Sequence, residues 1–153
     1  LKEMLPIGTI LRSVWWEAHN DRIRRPEQVI DPKHRDPKIR GSSGITFGRQ
    51  IGAYPILVGV PYRIPLETSS DILITSHGNR SVTGVELEIN VNKATQRQLE
   101  AIPGIGKKSS WRIVSTRARM ASTGSSRPFA TVDETFIESG IQMPEHAAKI
   151  LVT

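Results

Sequence analysis

Leu99-Glu100-Ala101-Ile102-Pro103-Gly104-Ile105-Gly106-Lys107-Lys108-Ser109-Ser110-Trp111-Arg112-Ile113-Val114 is the stretch whose reading decides the fold. It reads as a helix, a very tight turn and a second helix. Leu99 and Ile102 are spaced to share one face of the first helix. Pro103 cannot continue that helix and biases Ile102 out of the α region. Gly104 and Gly106 are expected at positive φ, where a sharp reversal needs residues without a Cβ. Ser110, Trp111 and Ile113-Val114 resume a helical pattern, with their apolar positions expected to face the first helix.

The chemistry of this turn lies in its backbone. Glycines let another chain approach closely. The second helix begins at the turn, so its unpaired N–H groups and positive dipole end point outward. That is an anion site, and phosphate is the usual anion. Lys107 and Lys108 stand beside it, with Arg112 about one turn further on. Such a turn would hold a phosphate backbone, and contacts of that kind position without specifying sequence.

The run Ile102-Pro103-Gly104-Ile105-Gly106, followed by Lys107-Lys108-Ser109-Ser110 and Ile113, resembles the helix-hairpin-helix motif of non-sequence-specific DNA-binding proteins. Ser110 stands at the motif's small position, where Ala is commoner. The resemblance implies backbone binding by Pro103, Gly104, Ile105, Gly106, Lys107, Lys108 and Arg112. A hairpin used only for packing or for protein contacts is the other reading of the same residues.

Composition sets bounds around the hairpin. A chain of 153 residues suffices for one compact domain or two very small ones. A net charge of +6 favours polyanionic partners. The absence of cysteine excludes disulfides, cysteine nucleophiles and cysteine-ligated metal or iron–sulfur sites on this chain. No apolar run approaches ~18 residues, so no membrane span or membrane partner is expected. No secretory signal pattern opens the chain, and we expect a cytoplasmic protein. Leu1 stands first instead of Met, which leads us to expect an excised piece of a longer protein.

The residues before the hairpin have a different character. Leu1 to Leu5 is a short apolar lead-in. Thr9 to His19 is rich in β-branched and aromatic types and reads as a strand. Its adjacent Trp15 and Trp16 must point to opposite faces, so one enters a core and the other does not. The outer one either lies under a loop or offers a base-stacking platform. Residues 20–43 then combine seven Lys and Arg with four acidic side chains and three prolines. They read as a long, mobile, basic loop, either a phosphate-tracking arm or a solvated insertion.

Ile45–Phe47, Pro55–Val60, Ser70–Ser76 and Val82–Ile89 read as further short strands, separated by Gly-rich turns. Five such strands suggest a small barrel of the oligonucleotide/oligosaccharide-binding (OB) type. Gly44-Ile45-Thr46-Phe47-Gly48-Arg49-Gln50, Tyr54-Pro55-Ile56-Leu57-Val58 and Asp71-Ile72-Leu73-Ile74 resemble the TRAM domain, a small β-barrel attached to several RNA-modifying enzymes. Met4-Leu5-Pro6-Ile7-Gly8-Thr9-Ile10-Leu11-Arg12, Gly48-Arg49-Gln50-Ile51-Gly52-Ala53-Tyr54-Pro55 and His77-Gly78-Asn79-Arg80-Ser81-Val82-Thr83-Gly84 are similar to the C-terminal region of archaeal radical SAM proteins. There, a barrel of this kind precedes a helix-hairpin-helix segment. This resemblance covers most of the chain outside residues 20–43. It implies a parent enzyme with an iron–sulfur cluster and S-adenosylmethionine. The three-cysteine cluster motif is absent here, so no cofactor and no enzymatic activity are expected on this chain. Arg49 and Arg80 join the candidate nucleic-acid contacts.

Beyond the hairpin, Asn92 or Thr95 can cap the first helix. Ser122 to Arg127 is a Ser/Gly-rich linker. Pro128-Phe129-Ala130-Thr131-Val132-Asp133-Glu134 then resembles the sequence that introduces a second hairpin in tandem domains of DNA-uptake proteins. Gly140-Ile141-Gln142-Met143 falls where its Gly-Ile-Gly should be, and only one glycine survives. We expect a degenerate second hairpin with helices at about Val132–Glu138 and Pro144–Leu151, completing the helical core without phosphate binding.

Catalytic arrangements are thin. His19, His34, His77 and His146 show no metal spacing, and no Ser/His/Asp order or paired carboxylates stand out. His77 in its turn cluster could be a site residue, although a turn histidine is more often solvated. The expectation is therefore an α+β protein. Residues 1–90 form an OB/TRAM-like β-barrel, and residues 91–153 an all-α tandem helix-hairpin-helix domain. The module would bind DNA or RNA backbone as an accessory region of a larger radical SAM enzyme. The competing expectation is a protein-interaction or scaffold region that docks on the parent's catalytic domain.

Overall fold

The computed structural model describes residues 5–16, 46–50, 56–78, 81–124 and 127–153. The expected basic loop at 20–43 and the candidate Arg80 lie outside the described residues. The chain divides into two compact units, Leu1–Gly84 and Val85–Thr153.

The first unit is built on strands β1 (Ile10–Trp16), β2 (Thr46–Gln50), β3 (Leu57–Val60), β4 (Ser69–His77) and β5 (Ser81–Glu86). They close into a barrel in the order β1-β2-β3-β5-β4. β1 runs antiparallel to β2 and β4, β2 antiparallel to β3, and β3 parallel to β5. Five strands closed in this mixed order fit an OB-like barrel.

In β1 the inward residues are Leu11, Val14 and Trp16. The alternation slips by one between Leu11 and Val14, where Arg12 and Ser13 both stay exposed. This is a β-bulge, and Ser13 takes φ +54° to accommodate it. Asp71 on β4 holds the bulge: its carboxylate accepts from the Ser13 backbone N–H at 3.0 Å and from Arg12 Nη1 at 2.8 Å. Trp16 is fully buried, and its Nε1–H donates to Ser70 Oγ at 3.0 Å. Trp15 therefore points outward and is 38% exposed. Gly48 and Gly84 sit where strands approach closely. A Cβ at Gly48 would press on the Trp16 ring at 2.7 Å, and one at Gly84 on the Leu73 carbonyl oxygen at 2.6 Å.

Val58, Val60, Ile72, Ile74 and Val82 complete the barrel core; Leu73 is also buried but points to the opposite face of β4, paired with Ile10. Thr46 is a buried polar bridge within it. Its hydroxyl donates to the Tyr62 carbonyl at 2.8 Å and accepts from the Ile64 N–H at 3.1 Å. His77 is a tie and not a free turn residue: its Nε2 hydrogen-bonds to the Leu5 carbonyl.

The expected last strand, Val82–Ile89, is two elements. β5 ends at Glu86, the chain bends at Leu87 and Glu88, and Glu88 takes φ +62°. Ile89–Asn90 then forms β6, which pairs in parallel with β7 (Leu151–Val152). This corrects the expectation that residues 91–153 are all-α. Among the described residues, four helices stand between these strands: α1 (Gln96–Glu100), α2 (Lys107–Ala121), α3 (Val132–Ser139) and α4 (Ala147–Ile150). The last helix, expected over Pro144–Leu151, is a single turn, because Leu151 turns extended to pair with Ile89. The Val91 N–H donates to the Val152 carbonyl at 2.9 Å and continues that pairing.

Thr95, and not Asn92, caps α1. Its hydroxyl accepts from the Gln98 N–H at 3.2 Å while the Gln98 side chain accepts from the Thr95 N–H at 2.8 Å, a complete capping box. Asn92 instead pairs its side-chain amide with the Phe129 backbone, donating at 3.0 Å and accepting at 2.8 Å. Thr131 caps α3 through the Glu134 N–H at 3.1 Å. Leu99, Ile102, Ile105, Ile113, Phe129, Phe136, Ala147 and Ile150 are buried and form the core of this unit.

Candidate nucleic-acid interface

The sequence from Leu99 to Val114 folds as two packed helices joined by a turn. Pro103 follows the last turn of α1, and Gly104 takes φ +89°. The Ile105 N–H donates to the Ile102 carbonyl at 2.9 Å, and the buried Ile105 side chain anchors the turn in the core. Ser110, Ile113 and Thr116 form the inward stripe of α2. The small Ser110 side chain folds back to donate to the Lys107 carbonyl at 2.9 Å. A small residue at this position keeps the helix backbone close to its neighbours.

Gly106 departs from the expectation of positive φ. It is the N-cap of α2, extended at φ −90°, ψ −167°. Backbone conformation does not require glycine there. A Cβ at Gly106 would meet no atom within 4 Å, so the space in front of the α2 N-terminus is open. Gly106 provides no side-chain cap, and no acidic residue occupies the first turn. The exposed Lys107 and Lys108 flank that end, and Arg112 is exposed one turn on. With Arg117 and Arg119, α2 carries five cations and no carboxylate. The N–H groups, the dipole and the Lys107 and Lys108 side chains thus favour an anion at the α2 N-terminus.

Arg117 belongs to the fold instead. Its Nη1 donates to the carbonyls of Val91 at 2.9 Å and Ala94 at 2.8 Å. Partial burial lowers its pKa from the ordinary arginine value.

Of the candidate residues, Pro103, Gly104, Ile105, Gly106, Lys107, Lys108 and Arg112 are gathered on this turn and helix. Arg49 lies in the barrel unit on β2, with Trp15 directly across on β1. Arg80 lies outside the described residues. Trp111 was expected to face α1 but is 60% exposed. The signal was present: with Ser110, Ile113 and Thr116 as the buried stripe, residue 111 falls about 100° off it.

The stretch expected to form a second hairpin keeps one element of the first turn. Gly140 caps α3 at φ +69°, as Gly104 is left-handed in the first turn. Gln142 takes the place of Gly106, and α4 has only four residues with no side-chain cap. Among the described residues, no group of three or more His, Asp or Glu could hold a metal ion. No described helix is long and apolar enough to cross a membrane.

The chain is similar to archaeal proteins. It is 41% identical over 78 residues to an uncharacterized protein of Archaeoglobus fulgidus, covering 49% of this chain and 15% of that protein. It is 32% identical over 85 residues to an uncharacterized protein of Methanocaldococcus jannaschii, covering 55% of this chain and 12% of that protein. The matched segment therefore spans less than a sixth of either relative. No protein-family model and no solved structure matches the chain.

Proposed function

We propose that the Val85–Thr153 unit binds nucleic-acid backbone without reading sequence, in the manner of a helix-hairpin-helix domain. The observation that carries this reading is the α2 N-terminus: uncapped, open in front of Gly106, and flanked by Lys107 and Lys108 on a helix without carboxylates. The candidate contacts are the backbone of Pro103, Gly104, Ile105 and Gly106 and the side chains of Lys107, Lys108 and Arg112. The lone glycine and four-residue helix of the second hairpin support a packing role for it. The OB-like barrel, with the exposed Arg49 on β2, provides a second surface for DNA or RNA, as a TRAM domain would; Arg80 is a candidate contact there from the sequence alone.

The much greater length of the archaeal relatives supports reading the module as the accessory region of a larger cytoplasmic protein, a radical SAM enzyme by the resemblance above. Iron–sulfur cluster, S-adenosylmethionine and catalysis then belong to the parent. A scaffold reading, in which the unit docks on the parent's catalytic domain, draws on Ile137, which is 75% exposed on α3. Filter binding with duplex DNA, single-stranded DNA and tRNA separates the two. Micromolar binding to at least one of them, declining steeply with salt, is expected; no binding to any at low salt would favour the scaffold.

A further inference from the structure

The Val85–Thr153 unit carries one large aromatic side chain that its core does not use. Trp111 lies on the outer side of α2, 60% exposed. Lys107 and Lys108 are its i−4 and i−3 neighbours and share its face of the helix, and Lys108 stands between Trp111 and Arg112. Along the axis the indole is about 6 Å beyond Lys107. The surface is thus a flat aromatic plate set among three exposed cations, with no carboxylate on the helix.

Charge complementarity selects a polyanion for this surface, and the plate selects one that carries aromatic faces. Nucleic acid has both, but a continuous duplex hides its base faces in the stack. Only unpaired bases can lay a face on an exposed ring. We propose that Trp111 is a stacking platform for an unpaired base, so that α2 takes single-stranded nucleic acid in preference to duplex. This rests on the backbone-binding reading above and adds the substrate class: the turn and lysines hold phosphate while Trp111 holds the adjoining base.

The test compares three probes on the full 153-residue chain at fixed salt: an oligothymidylate, an abasic oligomer of equal length, and a duplex. The parent chain should bind the oligothymidylate most tightly. Trp111→Ala should weaken that binding roughly tenfold, the scale of one lost base stack, and change abasic and duplex binding by less than about twofold. Trp111→Phe should recover most of the preference, because a smaller ring still stacks. Melting curves of both variants should overlay the parent's, since the side chain is on the surface. Equal losses on all three probes, or none, would overturn the stacking proposal while leaving phosphate binding standing. A parent chain that binds none of the probes would overturn both.

Discussion

Gly104 and Pro144 interlock the two turns of the Val85–Thr153 unit: a Cβ on Gly104 would lie 2.7 Å from Pro144 Cβ and 3.0 Å from its Cγ. The first hairpin can reverse there only because residue 104 has no side chain, and because it can adopt φ +89°. Two independent constraints therefore fall on one glycine, and neither falls on Gly106.

Gly104→Ala should accordingly destabilise the chain by about 2–4 kcal/mol, from left-handed strain together with displacement of the Pro144 ring. Gly106→Ala should cost about 1 kcal/mol or less, the difference between a good and a poor N-cap. Urea denaturation of the two variants measures the contrast. Similar losses at both sites would show that the turn geometry has been misassigned.

Gly106→Val separates folding from binding. A Cβ at this position meets no atom within 4 Å and the backbone is extended, so the variant should fold. It would stand where phosphate must approach the α2 N-terminus. Affinity for nucleic acid should fall at least tenfold, about 1.4 kcal/mol. Gly140→Val should do the reverse, lowering stability through its φ of +69° while leaving affinity nearly intact. A folded Gly106→Val that binds like the parent, with binding lost in Gly140→Val, would move the site to the second hairpin.

Arg117 and the two lysines should respond differently to salt. Arg117→Ala removes a charged donor from two backbone carbonyls and should cost about 2–3 kcal/mol of stability. It should leave the slope of log affinity against log salt unchanged. Lys107→Ala and Lys108→Ala should leave stability near the parent's and each reduce that slope by about 0.7–0.9, one phosphate contact apiece. Anisotropy titrations between low and physiological salt provide the slopes.

The barrel should weaken in acid through Asp71. The Ser13 backbone N–H, then the Arg12 guanidinium, hold its pKa below the ordinary value of 3.8. A carboxylate depressed in the folded state stabilises it above the unfolded value, and that contribution disappears as pH falls through the folded value. Stability should therefore decline below about pH 3.8. Asp71→Asn can still accept the Ser13 N–H bond but carries no charge, so its pH profile should be flatter there. Thermal melts from pH 6 to pH 2 compare the two; parallel profiles would remove Asp71 from the acid response.

Local chemistry was enough for much of the architecture. Alternation and β-branched runs located the barrel strands, and adjacency of Trp15 and Trp16 required one of them to point outward. The Pro-Gly-Ile-Gly run located the turn between α1 and α2, and Thr95 was one of two residues, with Asn92, that local spacing offered as the cap of α1. These signals are carried by neighbours in the chain. What needed tertiary structure depends on residues far apart in it. β7 exists because Leu151 meets Ile89, more than sixty positions away, and that pairing overrides the helical pattern before it. Arg117 leaves the basic surface because the carbonyls of Val91 and Ala94 come within hydrogen-bonding reach of it. Gly104 and Gly106 look equivalent in a list of residues, yet Pro144 crowds one and nothing approaches the other. Trp111 is outward because the small Ser110 takes the inward position, leaving the indole in water among the cations of α2.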